Sequence, residues 1–332
     1  SLSEKYYAEI LSVRRHIHSN PELSFQEFNT SKFIAEKLTG FGIPFKDGIV
    51  KTGIVALIEG KNPKKKIIVL RADMDALAIK EENNVEYKSK NEGVMHACGH
   101  DVHTASLLGA AKILNELKTD FEGTIKLIFQ PGEEKAPGGA SLMIAEGVLS
   151  PQPECIFAQH VFPSMETGKV GFRSGMYMAS TDEIYITIKG KGGHAAMPSD
   201  YVNPVLIGAN VIQALQTVFM DEKTKNIPAV PTVLAFGKFI ASGTTNVIPA
   251  EAAISGTLRT MDETWRRGAK ELIRQIVKSK TESMGGTCDV NILQGYPFLV
   301  NDEKITLRAK KTAEDFLGKE NVEALPLRMT AE

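Results

Sequence analysis

The sequence predicts an α/β fold with a mostly parallel central sheet, interrupted by an inserted β-α-β-β-α-β unit. Three observations carry this. Short continuous apolar runs, Ile67-Ile68-Val69-Leu70, Ile125-Lys126-Leu127-Ile128-Phe129 and Ile156-Phe157-Ala158, are separated by stretches of helical periodicity, as expected for strands buried on both faces beneath crossover helices. From about residue 182 the pattern changes to alternating strands and two helices. Acidic residues and histidines fall directly after the apolar runs, at strand ends, where open α/β sheets collect their chemistry.

In chain order, residues 5–18 place apolar side chains at helical spacing until Asn20-Pro21 breaks the helix. Ser24-Phe25-Gln26-Glu27 has the form of a capping box and predicts a second helix to about residue 38. Helices over 102–117 and 139–146 lie between the three predicted strands. The second pattern comprises a strand at 184–189, a helix at 204–218, strands at 232–239 and 252–258, a helix at 263–283 and a strand at 288–293. This is the ferredoxin-like order, so residues 179–295 read as an inserted α+β domain. After Pro297 a helix over 302–316 returns the chain to the first domain, which is therefore discontinuous, 1–178 with 296–332.

At 332 residues, 42% hydrophobic and 24% charged, the chain has room for two domains and an ordinary globular composition. A net charge of −1 gives no electrostatic footprint for nucleic acid or anionic lipid, and Lys64-Lys65-Lys66 reads as a surface turn. No apolar run approaches the roughly 18 residues needed to cross a bilayer, and the N-terminus lacks a signal-peptide core. Neither a nucleic acid nor a membrane is an expected partner. Cys98, Cys155 and Cys288 are odd in number and widely spaced, which argues against a disulfide framework and predicts a cytoplasmic protein.

The densest chemistry is His96-Ala97-Cys98-Gly99-His100-Asp101-Val102-His103, with three of the seven histidines and one of the three cysteines. Thiolate and imidazole suit zinc and similar divalent ions. A lone cysteine is more often a small buried hydrophobe, but Cys98 and His100, two apart before a helix, can turn toward one point. His103 fits a structural role and a ligand-supporting role equally well. Asp73 and Asp75 follow one predicted strand, Glu133 and Glu134 follow another through a Pro-Gly turn, and His160 ends a third. An acidic pair on an arbitrary loop is usually just solvated. At the end of a buried strand, one carboxylate can hold a metal while its neighbour accepts a proton from water.

His96-Ala97-Cys98-Gly99-His100-Asp101, Arg71-Ala72-Asp73-Met74-Asp75-Ala76-Leu77 and Gln130-Pro131-Gly132-Glu133-Glu134 resemble the signatures of the M20 family of metallopeptidases and amidohydrolases. The resemblance is nearest to its branch of hippurate hydrolases, indole-acetyl-amino-acid hydrolases and N-acetyl-diaminopimelate deacetylases. It extends through Arg14-Arg15-His16-Ile17-His18, Asn20-Pro21-Glu22-Leu23, Gly192-Gly193-His194-Ala195-Ala196-Met197-Pro198 and Thr245-Asn246-Val247-Ile248-Pro249, covering nearly the whole chain.

The resemblance implies two divalent metal ions (Zn, Mn, Co or Ni), with Cys98, His100, Glu134 and His160 as ligands and Glu133 as general base. It implies that Asp75 and Asp101 orient ligands. His194, on an inserted domain that serves as lid and dimerisation surface, reaches the active site, often that of the partner subunit in a homodimer. Asn246 and Arg259 would contact the substrate carboxylate or the developing oxyanion, a role that suits the forked guanidinium. Peptidase branches use a carboxylate at the position of Cys98, so the resemblance points to hydrolysis of N-acyl amino acids. The alternatives are a dipeptidase or aminopeptidase, and a catalytically inactive metal-binding or interaction protein. The family also takes a last ligand from a histidine beyond a segment like Met329-Thr330-Ala331-Glu332. No histidine follows His194 here, so either this sequence is cut short of that ligand or the second metal site is incomplete.

Overall fold

In the computed structural model, which describes residues 1–220 and 230–332, the first half of the chain runs α1 (Leu2–Ser19), α2 (Phe28–Gly40), β1 (Phe45–Ile49), β2 (Gly53–Glu59), β3 (Ile67–Asp73), α3 (His100–Glu116), β4 (Thr124–Gln130), α4 (Gly139–Ala145) and β5 (Cys155–Ala158). The sheet has the order β1-β2-β4-β3-β5. Strands β4, β3 and β5 are parallel, and an antiparallel β1-β2 hairpin extends the sheet from β4. Period-two alternation divides β4 between two clusters. Leu127 and Phe129 pack with Val13, Ile17, Ile34, Leu38 and Leu108 from the three large helices, whereas Ile128 joins Val69 and Met143 in the other cluster. Lys126 keeps its place in this apolar strand because its buried amine donates to the carbonyls of Val148 and Ser150 at 2.7 and 3.0 Å.

Register brings the strand ends together. Asp73 pairs with Gln130 and Arg71 with Ala158, so the loops after β3, β4 and β5 leave the sheet from one edge. The N-terminus of α3 opens at His100, after Gly99 in a left-handed conformation (φ 90°).

Two expectations are corrected here. β5 forms as predicted but is not buried on both faces: it is the outermost strand, and Ile156 and Phe157 are exposed. The capping box does not form, because α2 starts at Phe28 without a side-chain cap. Ser24 instead donates to Asp75, and Glu27 accepts from the Phe25 and Gly132 amides and the Thr52 hydroxyl. These long-range partners, invisible to a local motif, claim both capping groups.

The second half runs β6 (Val170–Phe172), β7 (Gly175–Met178), β8 (Asp182–Lys189), β9 (Gly193–His194), α5 (Pro204–Met220), β10 (Thr232–Ile240), β11 (Val247–Ile248), β12 (Glu251–Thr260), α6 (Glu263–Ser283), β13 (Thr287–Gln294), β14 (Leu299–Asn301), α7 (Glu303–Leu317) and β15 (Val322–Ala324). Its main sheet is antiparallel in the order β10-β12-β8-β13, the spatial order of a ferredoxin-like unit. Ile184, Ile186 and Ile188 of β8 turn one face toward Ile207, Val211 and Leu215 of α5 and Ala269, Ile273 and Val277 of α6. Arg266 pins this layer together. It is 1% exposed, grips Asp182 with two hydrogen bonds of 2.7 and 2.9 Å, and donates to the carbonyls of Thr181 and Gly295.

The chain divides into two compact units, Ser1–Ser164 and Met165–Glu332. Segments 165–178 and 296–332, assigned above to the first domain, fall in the second unit. There they pair with each other, β14 with β7 and β15 with β6.

Candidate metal centre

Within the first unit, the strand-end loops and the start of α3 gather the predicted ligands around one imidazole. Cys98, His100 and His160 form one set of donor atoms lying within 4.8 Å of one another, and His100, Glu133 and Glu134 form a second. Cys98 Sγ is 3.3 Å from His160 Nε2, and the nearest carboxylate oxygens of Glu133 and Glu134 are each 3.9 Å from His100 Nε2.

Asp75 organises the second set. Its Oδ1 accepts from His100 Nδ1 at 3.2 Å, while its Oδ2 accepts from the Ser24 hydroxyl at 2.7 Å and the Glu134 amide at 3.0 Å. One carboxylate thus holds both a ligand ring and the backbone of a ligand loop. Burial opposes ionisation of Asp75, but these donors outweigh it and hold the carboxyl below its usual range. Glu27 supports the same loop from the other side, accepting the Gly132 amide at 2.8 Å.

The residues fit a cation. His100 is 1% exposed, and its Nε2 has no hydrogen-bond partner among the described residues although three carboxylate oxygens lie 3.7–3.9 Å away. Burial alone would lower the pKa of His100. The hydrogen bond to Asp75 and the neighbouring Cys98 thiol, with the charges of Asp73 and Asp75, push it up to about 11 instead. A site that draws positive charge onto an orphaned imidazole nitrogen, beside a thiol, a second imidazole and two glutamates, has the donor chemistry of a divalent-metal centre.

Asp101 is corrected. It does not contact a ligand: its Oδ2 lies 2.8 Å from both His18 Nδ1 and Arg14 Nε, and His18 in turn reaches Glu81 at 3.2 Å. It ties α1 to α3 instead. His96, unassigned by the sequence, is 3% exposed with neither ring nitrogen partnered among the described residues, and burial lowers its pKa to about 4, leaving it neutral.

His103, left open by the sequence, also stands near His100 and Asp73, but both of its nitrogens are taken. Nδ1 donates to Asp73 at 2.6 Å and Nε2 accepts the Val161 amide at 2.9 Å, so it has no lone pair left for a metal. Sequence reasoning placed Asp73 correctly at a strand end yet gave it no partner, and gave Ser24 and Glu27 the wrong ones. The signals for Asp73 were its position after an apolar run and its place in the Arg71–Leu77 motif.

In the second unit His194 and Asn246 are neighbours. His194 pairs across β9 and β11 with Val247, and the Ala195 amide donates to the Asn246 carbonyl at 3.0 Å. The exposed His194 ring accepts the Ala196 amide at Nδ1, which places its proton on Nε2 as an outward donor. Arg259 lies on β12 opposite Val233, half-buried, with its guanidinium 3.4 Å from the Met329 carbonyl.

The sequence profile of peptidase family M20/M25/M40 matches residues 69–332. An N-acyl-L-amino acid amidohydrolase of Geobacillus stearothermophilus is 42% identical over 303 residues, 90% of this chain and 80% of that protein. A thermostable carboxypeptidase 2 of Saccharolobus solfataricus is 40% identical over 300 residues, 90% of this chain and 75% of that protein. Among solved structures, a dinuclear metal-binding peptidase of the M20 family from Bacillus subtilis superposes with a TM-score of 0.81 at 32% identity, covering 99% of this chain and 84% of that one. With this match, and with thiol, imidazoles and paired glutamates converging at the strand ends, the chain belongs to peptidase family M20/M25/M40.

Proposed function

We propose that the protein is a metal-dependent amidohydrolase that cleaves the amide bond of N-acyl amino acids. The observation that carries this is the convergence of Cys98, His160, Glu133 and Glu134 on the orphaned Nε2 of buried His100. The 42% identity to a protein named N-acyl-L-amino acid amidohydrolase supports the substrate class. Cys98, His100, Glu134 and His160 are the proposed holders of two divalent ions, zinc, manganese, cobalt or nickel. Such ions supply Lewis acidity, which eases deprotonation of water and polarises an amide carbonyl.

The chain's own groups complete the chemistry. Glu133 accepts the proton of the attacking water and returns it to the departing amine nitrogen, so one carboxylate serves as base and then as acid. The His194 Nε2–H and the Asn246 amide are donors for the developing oxyanion. Arg259 pairs with the substrate carboxylate. A homodimer formed through the inserted domain, 179–295, would deliver His194 in trans to a catalytic domain of 1–178 with 296–332. The cytoplasm is the proposed compartment.

Glu133→Gln tests the assignment: it is expected to retain metal while slowing turnover about 10²–10⁴-fold, the usual contribution of a general base. Turnover at the parent rate would sink it. A peptidase is the second reading, favoured by the 40% identity to a protein named carboxypeptidase. N-acetylated amino acids assayed beside unblocked dipeptides separate the two, and hydrolysis of the dipeptides alone would select the peptidase.

A further inference from the structure

Val161 follows a proposed ligand and is held from three sides. Its N–H donates to His103 Nε2 at 2.9 Å, and its carbonyl accepts from His160 Nδ1 at 2.7 Å. Its side chain lies over Gly99, between Cys98 and His100, where an added Cβ would come within 2.3 Å of Val161 Cγ2. The His160 bond matters for aim, because a proton committed to Nδ1 leaves Nε2 as the bare nitrogen, and Nε2 is the atom 3.3 Å from Cys98 Sγ. The His103 bond requires a bare Nε2 on that ring too. Asp73 enforces this by taking the Nδ1 proton of His103 at 2.6 Å, and Asp73 is anchored by Arg71 at 2.9 Å. Arg71, Asp73, His103 and Val161 all lie outside the proposed ligand set, yet they form one unbroken line from the end of β3 to His160.

We propose that His103, with its tautomer set by Asp73, is a positioning residue that aims His160 at the metal centre by gripping the Val161 peptide. This rests on the reading of His160 as a ligand. His103 touches neither metal nor substrate. Its nitrogens are both spent, so the nearby group of Asp73, His100 and His103 is a support and not a third metal site. The arrangement ties α3, which also carries His100, to the loop carrying His160, so the two imidazoles are set by one helix. Partners that orient ligating groups typically affect metal affinity about 10–100-fold when removed.

The test separates the two bonds of His103 in the full chain. In His103→Asn the amide reaches the Nδ1 position, keeping a donor for Asp73 but leaving the Val161 amide without an acceptor. In His103→Gln the amide oxygen reaches the Nε2 position and restores that acceptor. Metal-stripped protein is titrated with Co(II), reading affinity and the near-ultraviolet thiolate-to-cobalt band that reports Cys98. His103→Asn is expected to weaken Co(II) binding about 10–100-fold and diminish the band, with His103→Gln recovering toward the parent. Parent-like binding by His103→Asn, where His160→Ala binds weakly, overturns the positioning role alone. Unchanged binding by His160→Ala overturns the ligand reading itself. Imidazole ¹⁵N spectra of the unmutated chain at neutral pH give a readout independent of variant folding: Nδ1–H on His103 supports the proposal, and Nε2–H overturns it.

Discussion

Replacing Asp75 with Ala deprives three donors of one acceptor group at once: the His100 ring, the Ser24 hydroxyl and the Glu134 amide. A buried donor left unpaired costs about 1–3 kcal/mol, and one that can turn toward water about 0.5–1.5 kcal/mol. His100 is buried whereas the Ser24 and Glu134 bonds are only part-buried, so the whole loss is expected to be about 2–6 kcal/mol. Asp75→Asn is the sharper variant. Its carbonyl still serves His100 and its amide can donate to the Ser24 oxygen, but it then points N–H at N–H of Glu134, a conflict of about 1–3 kcal/mol. The Asn variant should therefore disturb the Glu134 loop while sparing the His100 ring. Urea unfolding of metal-stripped protein reads the stability. Zinc competition against a chromophoric chelator reads the site, with a loss of about 10–100-fold expected. A parent-like urea midpoint together with parent-like zinc affinity in Asp75→Asn would refute the claim that this carboxylate holds two ligands in place.

Arg266→Ala leaves the fully buried Asp182 carboxylate without its forked partner, and unfolding of the second unit should be easier by about 3–5 kcal/mol in urea; a shift below about 1 kcal/mol would show that Lys270, 3.5 Å away, substitutes fully. Gly99→Ala forces a side chain into φ 90° and against Val161 Cγ2 at 2.3 Å, so a melting-point drop should accompany weakened metal uptake, and a normal melting point would contradict the packing described. His18 has its pKa raised above 6.5, chiefly by its hydrogen bond to Asp101 and with help from Glu81, against the effect of burial. A raised histidine stabilises the fold fully below its unfolded value and loses that contribution as pH climbs through the folded value. The stability advantage of the parent over His18→Gln should accordingly shrink as pH rises above 6.5, and a difference that stays constant with pH would disprove it.

The sequence made the central strands legible because β3 and β4 are covered on both faces, and such strands are written as unbroken apolar runs. Glu133, Glu134 and His160 were legible for a related reason, standing within a few positions of strand ends that register brings to one edge, whereas Cys98 and His100 stood out through the density of the His96–His103 cluster. The β-α-β-β-α-β unit was legible through its alternation of periods. What escaped the reading was set by partners far along the chain. Ser24 caps nothing because its acceptor, Asp75, lies 51 residues on. Glu27 is drawn to a glycine amide 105 residues away. Asp101 looked like a ligand's companion by adjacency to His100, yet its partner His18 is 83 residues back. β5 carries the composition of a central strand but occupies an edge, and strand order is not encoded in strand composition. His103 could not be assigned until both of its nitrogens were seen to be engaged.

The pairing of Asp73 with Gln130 and of Arg71 with Ala158 bears on how such a centre can diverge. Glu133 and Glu134 are indexed to a strand terminus, three and four residues past β4, as are His160, two past β5, and the supporting Asp75, two past β3; Cys98 and His100 are set instead by the start of α3. Distances along the chain between them are filled by crossovers whose length does not enter that indexing. Insertions or deletions in a crossover away from the start of α3 are therefore expected to leave the centre intact, while a single residue gained or lost between a strand end and Glu133, Glu134 or His160 is expected to misplace that group. Distant relatives are better aligned by counting from strand ends than from one motif to the next.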